Sequence, residues 1–169
     1  MSPSPRLSYW VVPCAEDTAR YFDVIARLAR ARNAPVFAPH VSLASIEGEQ
    51  PDLSPCLELL CGLEVQPLEI GMTDAFTMSL FVRVERHPAL LKARDFMLNQ
   101  PGGKTSRDFD PHLSLCYGAP PEGAADWDAV RALLDQPVRF NALHAVQIPP
   151  IVETDEDVRS WNALQTFSF

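Results

Sequence analysis

The spacing of hydrophobic residues switches along the chain between period two and steps of three and four. Residues 7–12 alternate and stop at Pro13, which predicts an opening strand. Asp17 or Thr18 then caps a helix whose apolar residues Phe22, Ile25, Leu28 and Ala29 recur at three- and four-residue steps, with Arg20, Arg27, Arg30 and Arg32 on its solvated side. Asn33-Ala34-Pro35 ends that helix. Residues 36–38 lead into a strand that runs to about Ile46, and residues 47–52 carry turn chemistry. A short helix is predicted over 53–61, closed by Gly62, and a strand over 63–72. A clearer strand covers 78–85, where Ser79, Phe81 and Arg83 alternate with Leu80, Val82 and Val84; two strands this close predict an antiparallel pair. Pro88 opens a helix over 89–99 that Pro101-Gly102-Gly103 ends. Beyond the polar loop 104–110 lies another strand, closed by residues 117–121. Asp126 caps a helix through Leu134, 138–148 is a long strand, 151–153 starts another, and 164–169 is the last.

Two of these strands repeat each other. Pro39-His40-Val41-Ser42-Leu43 and Pro111-His112-Leu113-Ser114-Leu115 both read Pro-His-aliphatic-Ser-Leu, 72 residues apart. At this chain's composition a given histidine meets that setting by chance roughly once in three thousand tries, so duplication is the better account. In a strand, residues i and i+2 share a face. Each copy therefore turns a histidine and a serine to one face and two aliphatic residues to the other. Both halves of the chain run helix, break, motif strand, turn, helix, strand. The expected fold is α+β: one two-lobed domain over 1–169, built from two interleaved pseudo-symmetric repeats with the motif strands (39–43 and 111–115) side by side.

Composition narrows the function. The chain has 169 residues, 47% hydrophobic and 21% charged, with a net charge of −8. An acidic chain is a poor partner for a long nucleic-acid duplex, which draws its affinity from Lys and Arg on phosphates. A small nucleotide held by a few local groups is still allowed. Cys14, Cys56, Cys61 and Cys116 show no CxxC and no zinc spacing. The start lacks an apolar signal region, and no apolar run reaches membrane-spanning length. These features predict a reduced, soluble, cytoplasmic protein with no membrane partner, its thiols mostly packed as small hydrophobes.

Two histidines facing one cleft suit a reaction that needs a base and an acid in succession, because imidazole titrates near 6.5. Opening a cyclic phosphodiester fits. One histidine takes a proton from the attacking water and the other gives one to the departing ribose oxygen. The hydroxyls of Ser42 and Ser114 would donate to the oxygens that gain charge in the transition state. The sequence has no acidic cluster to hold a metal, and neither metal nor cofactor is called for. Gly103-Lys104-Thr105 ends like a phosphate-binding P-loop, but Leu98 stands where that loop needs glycine.

The paired motifs resemble the two-histidine phosphoesterase superfamily, and their wording is similar to its cyclic phosphodiesterase branch. The resemblance rests on Phe37-Ala38-Pro39-His40-Val41-Ser42-Leu43 and Pro111-His112-Leu113-Ser114-Leu115-Cys116-Tyr117-Gly118. It extends to the opening Tyr9-Trp10-Val11-Val12-Pro13 and the tail from Val158-Arg159-Ser160-Trp161-Asn162 to Phe169. It implies a bilobal module with a water-filled cleft between two antiparallel sheets and helices packed outside. It implies nucleoside 2′,3′-cyclic phosphates, opened to the 2′-phosphate, and ADP-ribose 1″,2″-cyclic phosphate as substrates. It also implies that His112 activates water and His40 donates the proton; the residues themselves do not order the two.

Further candidates surround this pair. Regular alternation puts Cys116 on the His112 face and Tyr117 on the other, although the resemblance favours an aromatic near the cleft. Lys104 and Arg107 precede the second motif within reach of a phosphate, and Trp10 and Phe81 could stack on a base. His87 and His144 lack motif partners and read as structural. The leading expectation is a monomeric, metal-independent hydrolase of small ribose cyclic phosphates. Its rivals are an enzyme of the superfamily's RNA branch, acting on 2′–5′ linkages or short RNA ends, and a nucleotide-binding module without turnover.

Overall fold

In the computed structural model, which describes residues 6–104, 108–119 and 126–169, the elements follow in order. They are β1 (Arg6–Pro13), α1 (Ala15–Arg32), β2 (Val41–Ile46), α2 (Ser54–Leu60), β3 (Glu64–Val65), β4 (Pro67–Met72), β5 (Leu80–Val84) and α3 (Pro88–Leu98). Then come β6 (Gly103–Lys104), β7 (His112–Cys116), α4 (Trp127–Ala132), β8 (Val138–Ile148), α5 (Asp155–Arg159) and β9 (Asn162–Ser168). Among the described residues the fold is α+β, with nine strands and every strand pairing antiparallel.

The strand path is β3-β8-β1-β2-β7-β5-β4, with β9 added to β8 and β6 to β2. The two expected sheets meet where β2 touches β7, and the ladder there is a single pair, Val41 opposite Leu113. Beyond it the strands part. β2 goes on to pair Ser45 and Ile46 with β6, while β7 runs on beside β5. The motif strands are thus the central neighbours of the whole sheet.

Alternation sorts the faces. Tyr9, Val11, Val41, Leu43, Leu113 and Leu115 enter one core with Tyr21, Ile25 and Leu28 of α1 and Leu90, Ala93 and Met97 of α3. Each fully buried large apolar side chain here contributes about 1.5–3 kcal/mol relative to exposure. Trp10, Val12 and Val146 form a smaller cluster apart from that core, with Trp161 packed against it. The helices therefore back the sheet, and the opposite face is left for the histidines.

Several local expectations need correction. α1 starts at Ala15 after Cys14, ahead of the expected caps. Asp17 is instead a buried carboxylate in the first turn, accepting from Arg139 N and Arg20, and Thr18 Oγ1 donates to the Pro13 carbonyl. Tyr21 and Val24 fill the helix's inner face, and Phe22 is 43% exposed. The strand expected over 63–72 is two. Pro67 cannot donate to a ladder, and β3 pairs with β8 while β4 pairs with β5. The strand start expected at 151–153 is absent, and α5 follows instead, opened by a capping box between Thr154 and Asp157. Asp126 occupies the cap position of α4 without a side-chain bond to it. His87 is structural as expected: its Nδ1 accepts from Ala89 N at the start of α3.

Candidate active site

Val41 stands opposite Leu113 in the single rung between the two motif strands, and His40 and Ser42 flank one side of that rung as His112 and Ser114 flank the other. All four side chains line one cavity of about 250 Å³, together with Trp10, Tyr117 and Trp161. Each histidine precedes its own serine by two positions.

His40 is 5% exposed. Its Nδ1 lies 2.7 Å from the Ala38 carbonyl oxygen. A carbonyl only accepts, so Nδ1 carries the proton and Nε2 is left to meet a ligand. The indole of Trp10 lies flat on the imidazole, with ring centroids 3.6 Å apart and planes 8° from parallel. The Trp161 ring meets the same imidazole edge-on at 6.0 Å. Burial pushes His40 down to about 4, opposed by the Ala38 bond and helped slightly by the charges of His112 and His144. At neutral pH this imidazole is uncharged.

His112 is fastened the same way, its Nδ1 2.7 Å from the Asp110 carbonyl oxygen. It is less enclosed than His40. The Phe81 ring packs against it at 5.0 Å, and Phe81 is itself seated over Gly71, where an added Cβ would come within 2.3 Å of that ring. The Asp110 carboxylate accepts from Arg83 Nε at 2.8 Å and Nη2 at 3.0 Å. The Arg83 bonds hold the Asp110 carboxyl below the ordinary carboxylate range, and the charge of His112 acts in the same direction.

The two hydroxyls differ. Ser42 is exposed at the cavity, whereas Ser114 is buried with a long 3.4 Å bond to the Thr77 carbonyl. Burial pushes the Tyr117 hydroxyl far above its ordinary value, against the effect of a bond with Ser114. Arg94 of α3 also lines the cavity; it donates to the Leu43 carbonyl and lies 4.6 Å over the Phe109 ring. It is the one Lys or Arg among the described lining residues, beside Asp108 and Asp110.

The structure thus brings His40, Ser42, His112, Ser114, Trp10 and Tyr117 together. It does not bring in Cys116, Phe81 or Lys104. A β-bulge explains the exchange of Cys116 for Tyr117: Leu80 pairs with Cys116 but Phe81 with Ser114, so β7 holds an extra residue and the alternation reverses. Cys116 turns into the main core, where its thiol meets the Arg32 guanidinium. Phe81 lies under His112 rather than at the cavity. Lys104 pairs with Glu47 at 3.5 Å, away from the cavity. Arg107 lies outside the described residues. Sequence reading missed Arg94, an ordinary helical arginine by its spacing. It named Trp161 only within the tail, and pocket-lining residues far apart in sequence carry no local signal.

No protein-family model and no curated protein sequence matches the chain. Solved structures do. E. coli LigT complexed with 3′-AMP aligns with a TM-score of 0.54 at 15% identity, covering 98% of each chain. E. coli LigT complexed with NADP+ gives 0.53 at 17% identity over 98% of each. A phosphoesterase gives 0.53 at 16% identity, again over 98% of each. The chain has the fold of these proteins, the one implied by the resemblance to the two-histidine phosphoesterases.

Proposed function

We propose that the chain is a two-histidine phosphoesterase that hydrolyses small ribose cyclic phosphates without a metal ion. The observation that carries this reading is the pair of imidazoles lining one cavity, each fixed through Nδ1 to a carbonyl and each two residues before a serine that lines the same cavity. Water attacks phosphorus as one Nε2 takes its proton. The bond from phosphorus to one ribose oxygen breaks as the other imidazole delivers a proton there. Ser42 and Ser114 donate to the remaining phosphate oxygens as they gain charge.

Burial supports an order for the two. His40 is held neutral, which suits a base. An imidazolium at His112 is attracted by the Asp110 carboxylate, which suits an acid. This is the reverse of the order that the resemblance implies.

The lining favours a small substrate. Among the described lining residues one arginine stands beside two aspartates, which offers little to a long polyanion and favours the small-substrate reading over RNA-end processing. A cavity of about 250 Å³ with aromatic walls suits a nucleoside unit, and the LigT structures with 3′-AMP and NADP+ show that this fold accommodates nucleotides. The test is a panel of 2′,3′-cyclic mononucleotides and ADP-ribose cyclic phosphate, incubated with chelator and followed by product identification. His40→Ala and His112→Ala should each lower turnover by about 10²–10⁴ while folding normally. Turnover of every substrate unchanged in either variant overturns the assignment. Tight binding without product would make the protein a nucleotide-binding module instead.

A further inference from the structure

One face of the Trp10 indole is already taken by another side chain. Its side chain belongs to a residue only 7% exposed, and one face of its indole is covered by His40 at 3.6 Å. Trp161 meets it edge-on at 5.1 Å. The indole N–H donates to Ser8 Oγ at 2.9 Å, and Ser8 is itself buried. The position follows from the register of β1: Trp10 pairs with Ser42 across β2 and with His144 across β8, so its large ring reaches diagonally to His40.

We infer that Trp10, anchored by Ser8, is a positioning residue that fixes the plane of the His40 imidazole and keeps water from it. The Ala38 bond alone leaves the ring able to swing about the axis of that contact. The indole face blocks the swing and aims Nε2. The inference rests on the two-histidine reading for its catalytic meaning, but the geometry of the stack stands without it.

Removing the indole should let water reach His40. Its charged form is then better solvated, and its midpoint rises toward that of an exposed imidazole. The charged or titratable groups near His40 are His112 on β7 and His144 on β8, with Arg94, Asp108, Asp110 and Tyr117 lining the same cavity. None of them is altered by a change at Trp10 or Ser8.

The experiment measures the His40 midpoint by imidazole NMR in Trp10→Leu, Trp10→Phe and Ser8→Ala, alongside kcat and KM on a 2′,3′-cyclic mononucleotide. The expected result for Trp10→Leu is a midpoint about one pH unit higher or more, with kcat down about tenfold or more and KM within about threefold. Trp10→Phe should recover most of both, and Ser8→Ala should shift both in the same direction by less. A His40 midpoint unmoved in Trp10→Leu overturns the inference, as does a KM that rises at constant kcat, which would make Trp10 a substrate platform. If Trp10→Leu does not fold, an unmoved midpoint in Ser8→Ala does the same. Should the wild-type protein hydrolyse no cyclic phosphate, the functional reading fails while the NMR midpoints still decide the role of Trp10.

Discussion

His40 and His112 are fastened alike, each with Nδ1 2.7 Å from the carbonyl oxygen two residues upstream, yet they sit in unlike surroundings. One is roofed on one face by Trp10 and nearly buried, with its edge at the cavity. The other is half-buried beside a carboxylate held by Arg83. The shared tether sets the same tautomer in both rings, with the proton on Nδ1. Burial lowers the proton affinity of the His40 ring, and the proposed division of roles rests on that.

The pH dependence of kcat/KM tests the low His40 midpoint. If His40 is the base, it must be neutral, and it is neutral above about pH 4. The acid limb of the profile should then fall only as pH drops to that region, with activity held through pH 5–6. With His40 as the acid and His112 as the base the profile would keep the same limbs at a lower height, because both arrangements are the singly protonated pair. An acid limb already falling as pH drops from 6 to 5 would show that the essential neutral group does not titrate near 4, and would remove the support for His40 as the base.

The serines should separate from each other in stability but not in turnover. Removing one donor to a developing oxyanion costs about 10²–10³ in kcat. Ser42→Ala and Ser114→Ala should both show losses of this order, with smaller changes in KM. Ser42 is exposed, so its loss should change stability by no more than about 0.5 kcal/mol. Ser114 is buried with bonds to Thr77 and Tyr117, and its removal should cost about 1 kcal/mol or more, read by urea denaturation.

How much of this was legible beforehand follows from what kind of pattern each feature leaves. His40, Ser42, His112 and Ser114 share a face by strict alternation within two short strands, and that signal is local, so the cavity's centre could be read directly. Cys116 and Tyr117 were exchanged because a bulge needs one extra residue opposite the partner strand, and nothing in Leu115-Cys116-Tyr117 announces it. Arg94 reaches the site only because α3 packs behind β2, a tertiary fact with no periodic trace. Trp10 is legible as an aromatic beside the site, but its stack on His40 is not. A sequence shows an aromatic residue on the right face, not that another side chain already occupies its ring. The caps of α1 failed for a related reason: Asp17 is bound by Arg139, 122 residues away.

The single-pair seam makes its own prediction. Leu113 is fully buried and stands at the only rung between the motif strands. Leu113→Ala should cost about 2–5 kcal/mol through the cavity it leaves. Leu113→Ile should cost under about 1.5 kcal/mol. Because the seam sets the spacing of the two histidines, the Ala variant should also lose kcat under conditions where it remains folded. Full turnover in a folded Leu113→Ala protein would show that the rest of the sheet holds the spacing. Lys104→Ala, by contrast, should leave kcat and KM unchanged, since its partner is Glu47 outside the cavity.

His40 also predicts how stability responds to acid. Its folded midpoint of about 4 lies below the 6.5 expected when unfolded, so the unfolded chain binds the extra proton first. Stability is therefore whole above about pH 6.5 and falls as pH drops toward 4. Below that the loss from this residue levels off at about 3 kcal/mol. His144 is also lowered by burial and adds to the same window. Asp17 and Asp110 are shifted the opposite way relative to charge: their carboxylates stabilise the fold when ionised, so their share is lost only below the ordinary carboxylate range. The windows are separate, and His40→Gln isolates the first of them. Between pH 6.5 and 4 the variant should lose less stability than the wild type by about 3 kcal/mol, measured by urea unfolding at stepped pH. Parallel curves for the two proteins across that interval would mean that His40 is hydrated in solution and that the Trp10 roof is open.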